Sequence, residues 1–412
     1  MKNRAVIFVT LLLFFSACNP ESESAKDILG NPEYPAIAYG GYRNQDRSVA
    51  PSVDEIKEDL KILNALGFRV LRTYHARLFE HTPRLLQAIH EMKSADENFE
   101  MYVMLGAWMQ CEGARTSEPI HYSPDIKENE AEILKSIELA NQFPDIVKII
   151  AVGNESMVHW AEDYYVHPRI ILKEVLRLQE MKSKGELPAD LWITTSDNFA
   201  SWGGEDNSYH LPSLDSLIDA VDYLSVHSYP FHDSHYNPEW WWIPAEEEPW
   251  TKEDQIRSSM DRGVRRVQTQ IESVRDYMLR LGIDKPIHVG ETGWASEDNL
   301  LYGGAGSGAA DEFKQMIYYQ EIRAHLQSQN MACFYFEAFD EPWKGGDNSG
   351  GSENHFGLIS VDGVVKMPLW DAFDKGILNG LTRGGTPLRK SLNGSSSTGL
   401  KRSFIPPKTS ER

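Results

Sequence analysis

Short apolar runs alternate along the chain with polar or aromatic loops and with segments in which apolar residues recur at helical spacing. Eight of these runs predict strands, at 36–39, 68–74, 100–107, 147–154, 191–196, 221–229, 285–291 and 332–339. Eight strands that alternate with helices over this length predict an α/β protein with a single (β/α)8 barrel, the TIM barrel. An open doubly wound sheet is the alternative, but no Gly-rich phosphate-binding loop follows the first strand to favour it.

The segments between the predicted strands carry helix signals. Ser52 and Glu55 form a capping box at the start of one helix, and Gly67 ends it. Thr82 followed by Pro83 starts a second helix. Similar apolar spacing predicts further helices at 133–140, 170–178, 256–281 and 313–326.

The N-terminus has the features of an export signal. Lys2 and Arg4 precede an apolar run at 5–15, which is too short to span a bilayer and has the length of a signal-peptide core. Ser16 and Ala17 then lead to Cys18, and this sequence resembles the lipobox of bacterial lipoproteins. A plain signal peptide with an incidental cysteine is the alternative. We predict an extracytoplasmic protein that a lipid on Cys18 anchors to a membrane, at the outer membrane or cell surface of a Gram-negative bacterium.

The chain divides into four predicted segments. After about residue 381 the sequence becomes polar, basic and rich in Gly and Ser, which is typical of disorder. The segments are a signal peptide at 1–17, a lipidated cysteine with a linker at 18–33, a catalytic barrel at 34–380 and a disordered tail at 381–412.

Charge and cysteine content narrow the range of partners. Lys and Arg total 41 against 61 Asp and Glu, so the formal net charge is −20, which argues against a nucleic-acid partner. Besides Cys18 the chain has Cys111 and Cys333, which either pair or remain buried free thiols; the second is favoured because no disulfide framework is visible. We expect a monomer that needs no cofactor and no metal.

The candidate chemistry lies at the carboxyl ends of the predicted strands, because the loops at that end of a barrel form its working face. Glu155 follows the fourth strand and Glu291 ends the seventh. Two carboxylates on one rim suit glycosidic cleavage, in which one protonates the leaving oxygen while the other attacks the sugar or activates water. A separation of about 5 Å indicates retention of configuration, and one of about 6.5 to 9.5 Å indicates inversion.

Other polar and aromatic residues occur at the same strand ends, and indole rings there favour a sugar substrate because flat sugar faces stack on them. The run 240–242 is expected to wall the cleft. Core packing is the alternative for Trp294, and a structural ion pair is the alternative for Arg72 and Lys344. The expected substrate-binding residues are Asn154, Tyr39, Arg72, Tyr74, Trp108, Tyr229, Trp241, Trp294, Glu341, Trp343 and Lys344. The histidines His227, His232 and His235 are expected to face solvent or sugar rather than to bind a metal.

Several ordered motifs resemble those of glycoside hydrolase family 17. They are VGNES at 152–156, SVHSYPF at 225–231, HVGETGWAS at 288–296, FEAFDEPWK at 336–344 and ENHFGL at 353–358. Members of that family are retaining β-1,3-glucanases and related transglucosylases built on (β/α)8 barrels.

The resemblance implies roles for individual residues. It makes Glu155 the general acid/base and Glu291 the nucleophile, with Asn154 bonded to the sugar 2-hydroxyl and Tyr229 near the nucleophile. For this mechanism Glu291 must be ionised while Glu155 holds its proton. His227 departs from the family, which often has Asn at that position.

These residues together predict a lipid-anchored, retaining, endo-acting β-1,3-glucanase that hydrolyses laminarin-type glucan by double displacement. Three alternatives stay open: a β-1,3-glucanosyltransferase, a non-catalytic surface glycan-binding lipoprotein, and a barrel hydrolase that acts on another β-linkage.

Overall fold

The computed structural model describes residues 23–411, and they contain a closed barrel of eight parallel strands. The strands are β1 (Ala36–Ala38), β2 (Val70–Arg72), β3 (Tyr102–Ala107), β4 (Val147–Asn154), β5 (Trp192–Asn198), β6 (Leu224–His227), β7 (Ile287–Gly293) and β8 (Cys333–Phe336). Each strand pairs with the next one along the chain, and β8 pairs with β1 to close the barrel. The predicted (β/α)8 barrel is confirmed, and every predicted strand overlaps an observed one.

Helices flank the barrel. They are α1 (Ala25–Ile28), α2 (Val53–Ala65), α3 (His81–Ala95), α4 (Ile126–Gln142), α5 (Pro168–Ser183), α6 (Pro212–Ala220), α7 (Pro230–Tyr236), α8 (Lys252–Arg280), α9 (Glu312–Ser328), α10 (Trp370–Asp374) and α11 (Ser396–Arg402). The capping box of α2 is present, because the Ser52 side chain accepts from the Glu55 amide and the Glu55 carboxylate accepts from the Ser52 amide. The pattern missed the short helices α1, α6, α7, α10 and α11.

The N-terminal segment closes the amino end of the barrel. Ala25 and Ile28 of α1, together with Leu29, are buried in one apolar cluster with residues at the amino ends of the strands. The side chains they meet there include those of Ala36 and Val70. The prediction of a linker over 18–33 is therefore wrong from residue 24 onward, because apolar side chains within this polar stretch pack into the barrel.

The C-terminal segment also differs from its prediction. Residues 381–411 pack along the outside of the barrel rather than forming a disordered tail. Arg383 is buried and forms an ion pair with Asp59 of α2 at 3.1 Å. Ser403 bonds to Asp311 at 2.8 Å and to Lys314 at 3.0 Å. Specific polar partners thus hold a segment whose composition alone suggests disorder.

The structure bears on the predictions for the cysteines but not on that for the export signal. The signal peptide and Cys18 lie outside the described residues. Cys111 and Cys333 are buried free thiols, as favoured from the sequence. Within residues 23–411 no helix combines the length and apolar character needed to cross a membrane.

Candidate active site

A cleft of about 1070 Å³ opens at the carboxyl ends of the strands. Glu155 and Glu291 both border it, as the sequence predicts. Its walls include many aromatic side chains, namely Tyr39, Tyr42, Tyr74, Phe79, Trp108, Trp160, Tyr164, Phe199, Tyr229, Tyr236, Tyr302, Phe336, Trp343 and Phe356. A concave aromatic site with a few convergent charges is suited to binding sugars.

Glu291 lies in β7 with its side chain only 7% exposed. Its Oε1 accepts from Arg72 at 2.5 Å, and its Oε2 accepts from the Tyr229 hydroxyl at 2.9 Å. Burial alone would raise the pKa of Glu291, but the neighbouring His227 and Arg72 side chains and the hydrogen bond from Tyr229 outweigh burial and hold the pKa below its usual range. Glu291 is therefore held as a carboxylate.

Arg72 lies behind the site rather than in the cleft. It ends β2, is 1% exposed and does not border the cleft, so the expectation that it binds substrate is wrong. Its guanidinium donates to Glu291, to the Gly290 carbonyl at 2.7 Å and to the Asn154 side-chain oxygen. Because the Asn154 oxygen is occupied, its amide NH2 remains as a donor toward the cleft.

Glu155 follows the end of β4, where the backbone turns sharply. Gly153 has φ +93° and Glu155 itself has φ +45°, a left-handed conformation that non-glycine residues rarely adopt. The Glu155 amide donates to the Ser196 carbonyl at 2.9 Å, which ties this turn to β5. Its side chain, 17% exposed, is more open to solvent than that of Glu291. One oxygen of each glutamate and one nitrogen of His227 all lie within 4.8 Å of one another.

The sequence analysis did not predict the position of His227 between the two glutamates. It ends β6, is fully buried, and bonds to Glu155 through Nδ1 at 3.0 Å, so it does not face solvent as expected. One feature of the sequence could have predicted this position, because His227 ends the strand that precedes the one with Glu291. These three residues have ligand atoms close enough for a metal ion, but the Arg72 guanidinium beside Glu291 opposes a cation.

A charged cluster follows β8. Lys344 bonds to Glu337 at 2.7 Å and to Glu341 at 3.0 Å. Burial raises the pKa of Glu337 well above its usual range despite the opposing charge of Lys344, whereas for Glu341 the charge of Lys344 outweighs burial and the pKa is lowered. Glu341 and Lys344 border the cleft as expected, and Glu337, which the sequence reasoning passed over, holds Lys344 from behind.

The tryptophans divide between the cleft and the core. Trp108 and Trp343 border the cleft as expected, and so does Trp160, which is 63% exposed and was not among the expected residues. Trp241 and Trp294 are fully buried, so the expectation that they bind substrate is wrong. Their indole N–H groups donate to carbonyls of the neighbouring loop, at 2.8 Å in each case. The run 240–242 does not wall the cleft.

The tyrosines expected at the site all border the cleft. Tyr229 bonds to Glu291, as described above, whereas the Tyr39 hydroxyl points away and donates to Asp59 at 3.2 Å. The Tyr74 hydroxyl has no hydrogen-bond partner among the described residues and borders the cleft beside Arg72, whose guanidinium carbon lies 4.9 Å from its ring.

A (β/α)8 barrel with two glutamates at the carboxyl ends of β4 and β7, in a cleft lined by aromatic rings, defines a glycoside hydrolase. Comparison with known families agrees, since the model of the BtgE/BtgC glycoside hydrolase domain matches residues 36–357. The chain belongs to this BtgE/BtgC glycoside hydrolase family.

Individual relatives support the same assignment. The chain is 54% identical to the solved endo-laminarinase from Formosa Hel1_33_131, with a TM-score of 0.92 over 94% of this chain and 98% of that one. It is 26% identical to a glucan 1,3-β-glucosidase of Arthroderma benhamiae over 76% of this chain and 83% of the relative. It shares its fold, at 20% identity and a TM-score of 0.51, with a glycoside hydrolase family 17 β-1,3-glucanosyltransferase from Rhizomucor miehei, over 80% of this chain and 94% of that one. The first two matches support a glycoside hydrolase that acts on β-1,3-glucan, and the third shows the fold alone.

Proposed function

We propose that the protein is a retaining endo-β-1,3-glucanase that hydrolyses laminarin-type glucan. The likeness to an endo-laminarinase over nearly the whole of both chains supports the substrate class and the endo action. The observation that carries the mechanism is the approach of the Glu155 and Glu291 oxygens to within 4.8 Å. This approach is in line with the separation of about 5 to 5.5 Å between the carboxyl groups of retaining enzymes rather than the roughly 6.5 to 9.5 Å of inverting ones.

In the proposed mechanism Glu291 attacks the anomeric carbon, because its low pKa keeps it ionised. Glu155, the more exposed of the two, protonates the departing glycosidic oxygen. Once Glu291 is esterified by the sugar, Glu155 removes a proton from the incoming water and the ester is hydrolysed with retention. Asn154 directs its amide toward the sugar 2-hydroxyl.

The test incubates a soluble protein that starts after Cys18 with laminarin, mixed-linkage glucan and cellulose, and sizes the products over time. A ladder of short oligosaccharides from laminarin, released first with the β configuration by proton NMR, is the expected result. Products longer than the starting oligosaccharides indicate a glucanosyltransferase instead. Laminarin binding without any product indicates a glycan-binding protein.

Two variants test the assigned residues. Glu291→Gln removes the nucleophile while conserving shape, so turnover of laminarin is expected to fall by at least about 10³-fold with binding retained. Glu246→Gln, on an exposed loop, is the matched control and is expected to leave turnover unchanged. Near-native activity of Glu291→Gln contradicts the assignment of the nucleophile.

We also propose that the protein is a monomeric, extracytoplasmic lipoprotein anchored through Cys18. The support is the lipobox-like sequence, together with the packing of Ala25 and Ile28 at the end of the barrel opposite the cleft. An anchor at that end leaves the cleft facing away from the membrane, where it meets a polysaccharide. Incorporation of a palmitate analogue that Cys18→Ser abolishes is the expected result, and equal labelling of both proteins contradicts the proposal.

A further inference from the structure

His227 lies between the two glutamates assigned to catalysis. Its Nδ1 is 3.0 Å from Glu155 Oε1 and 3.7 Å from Glu291 Oε2, and the side chain is fully buried. The shorter of the two distances is a hydrogen bond, whereas the longer is not. The ring therefore acts on Glu155 by a directed bond and on Glu291 only through space.

The other nitrogen of the ring faces a pair of hydroxyl groups. His227 Nε2 is 2.8 Å from Ser196 Oγ, which in turn is 2.7 Å from Ser225 Oγ. Gly290 on the adjacent strand makes room for this pair, since a Cβ there would lie 2.1 Å from Ser225 Oγ and 2.5 Å from Ser196 Oγ. A hydroxyl group both donates and accepts, so Ser196 can donate to Nε2 while it accepts from Ser225.

We propose that His227 is a positioning residue that, as the Nδ1–H tautomer, donates to Glu155 Oε1 and thereby leaves Oε2 as the oxygen that carries the catalytic proton. The opposite tautomer accepts the proton of Glu155 at Nδ1 and so turns it away from the substrate. The Ser196 hydroxyl, by donating to Nε2, selects the productive tautomer. This inference rests on the roles proposed above for Glu155 and Glu291.

The hydrogen bond from His227 to Glu155 persists through the first chemical step and becomes stronger. The proton on Oε2 passes to the glycosidic oxygen, the bond from that oxygen to the anomeric carbon breaks, and Glu291 forms its ester with that carbon. Glu155 becomes a carboxylate, and the bond from Nδ1–H then becomes charge-assisted and stronger. Because the bond strengthens as the proton leaves, it stabilises the transition state more than the ground state.

Other charged and titratable groups surround the ring. Asp197 of β5 is buried nearby, as its interactions with Glu155 and His227 indicate. Arg72 and Tyr229 hold Glu291 on the opposite side and make no hydrogen bond to Glu155 in the structure. His227 is thus the side chain that donates directly to the acid/base residue.

Two amide variants separate the two sides of the ring. In His227→Asn the amide lies near the position of Nδ1 and keeps a donor for Glu155, whereas in His227→Gln it lies near Nε2 and keeps only the bond to Ser196. Each variant is assayed for kcat/KM on a laminari-oligosaccharide and on 2,4-dinitrophenyl β-laminaribioside. The dinitrophenolate leaves without protonation, so kcat/KM for that substrate does not depend on the acid function of Glu155.

We expect His227→Gln to lose about 10- to 100-fold in kcat/KM on the oligosaccharide and less than about threefold on the aryl substrate. His227→Asn is expected to stay within about tenfold of the wild type on the oligosaccharide. Ser196→Ala removes the donor to Nε2, along with the bond between Ser196 and Ser225, and should show the same selectivity with a smaller loss. It decides the question if neither amide variant folds. His90→Gln, on the exposed face of α3, is the matched control.

Equal losses on the two substrates, or a greater loss in the Asn variant than in the Gln variant, overturn the role proposed for His227. A wild type that cleaves neither substrate overturns the proposed function instead, so the two failures are distinguishable.

Discussion

The two ends of the barrel are built from different kinds of interaction. At the carboxyl end, charges are taken out of water in pairs: Arg72 pairs with Glu291, and Glu337 pairs with Lys344. At the amino end, Ile28 and Leu29 close the barrel with apolar side chains. The first arrangement costs desolvation and creates reactive groups, and the second excludes water from apolar surface and contributes stability. Burial thus serves chemistry at one end of the barrel and stability at the other.

The largest effect is expected from Arg72→Met, which removes the counter-ion of Glu291. Three charge-assisted hydrogen bonds are lost, so kcat/KM on laminarin is expected to fall by about 10³-fold. The pKa of Glu291 is also expected to rise, because one of the charges that lowers it is gone. Attack needs the ionised form, so the acidic limb of the pH profile of kcat/KM should move to higher pH.

Arg72→Lys is the matched control for that variant. It keeps the positive charge but loses the forked geometry, so it should preserve the position of the acidic limb more than the rate. An acidic limb at the same pH in Arg72→Met and wild type contradicts the role of this ion pair in ionising Glu291.

Arg383→Met tests whether a buried ion pair away from the cleft contributes to stability rather than to activity, unlike the pair of Arg72 with Glu291. Asp59 keeps Arg43 at 2.9 Å, but it loses Arg383, so the free energy of unfolding is expected to fall by about 3 kcal/mol. The acidic limb of the activity profile should not move. Arg389→Met breaks an exposed pair with Asp362 and is expected to cost less than about 1 kcal/mol. Equal stability of the two variants in urea titrations would show that the C-terminal segment does not contribute through this pair.

Ile28→Ala examines the apolar end of the barrel. Its side chain is fully buried, and truncation is expected to lower the free energy of unfolding by about 2 kcal/mol. This value is at the lower end of the range for truncating a buried Ile to Ala, because Ile28 lies near the end of the chain. kcat/KM on laminarin should stay the same. Ile126→Ala, at a side chain 75% exposed, is the control with no expected change. A loss of activity without a loss of stability would contradict the division between the two ends.

Sequence patterns predicted the barrel and the placement of both glutamates at its rim, because parallel strands bring their carboxyl ends together whatever their separation along the chain. They failed where the partner is distant in sequence. Arg383 is held by a residue 324 positions away, so local composition suggested disorder. His227 likewise makes its contacts with residues in or next to β4, β5 and β7, which are distant in sequence.

The predictions for Trp241 and Trp294 were wrong for a related reason. The tryptophans also provide the prediction with the smallest expected effect. A residue just past a strand end turns either into the cleft or outward, between the barrel and its helices, and its position in the sequence does not say which. Trp108 borders the cleft and stacks on His75 at 4.9 Å, whereas Trp241 is buried.

Trp108→Ala is therefore expected to raise KM for laminari-oligosaccharides about fivefold with little change in kcat, since a stacked ring binds ground state and transition state alike. Trp241→Phe should leave KM unchanged and lower the midpoint of thermal unfolding, because the bond from its indole N–H to the Ser307 carbonyl is lost. An equal rise in KM for Trp241→Phe and Trp108→Ala, with kcat unchanged in both, would contradict this division. A ring buried in the core can affect substrate binding only if its replacement distorts the cleft, and such a distortion should lower kcat as well.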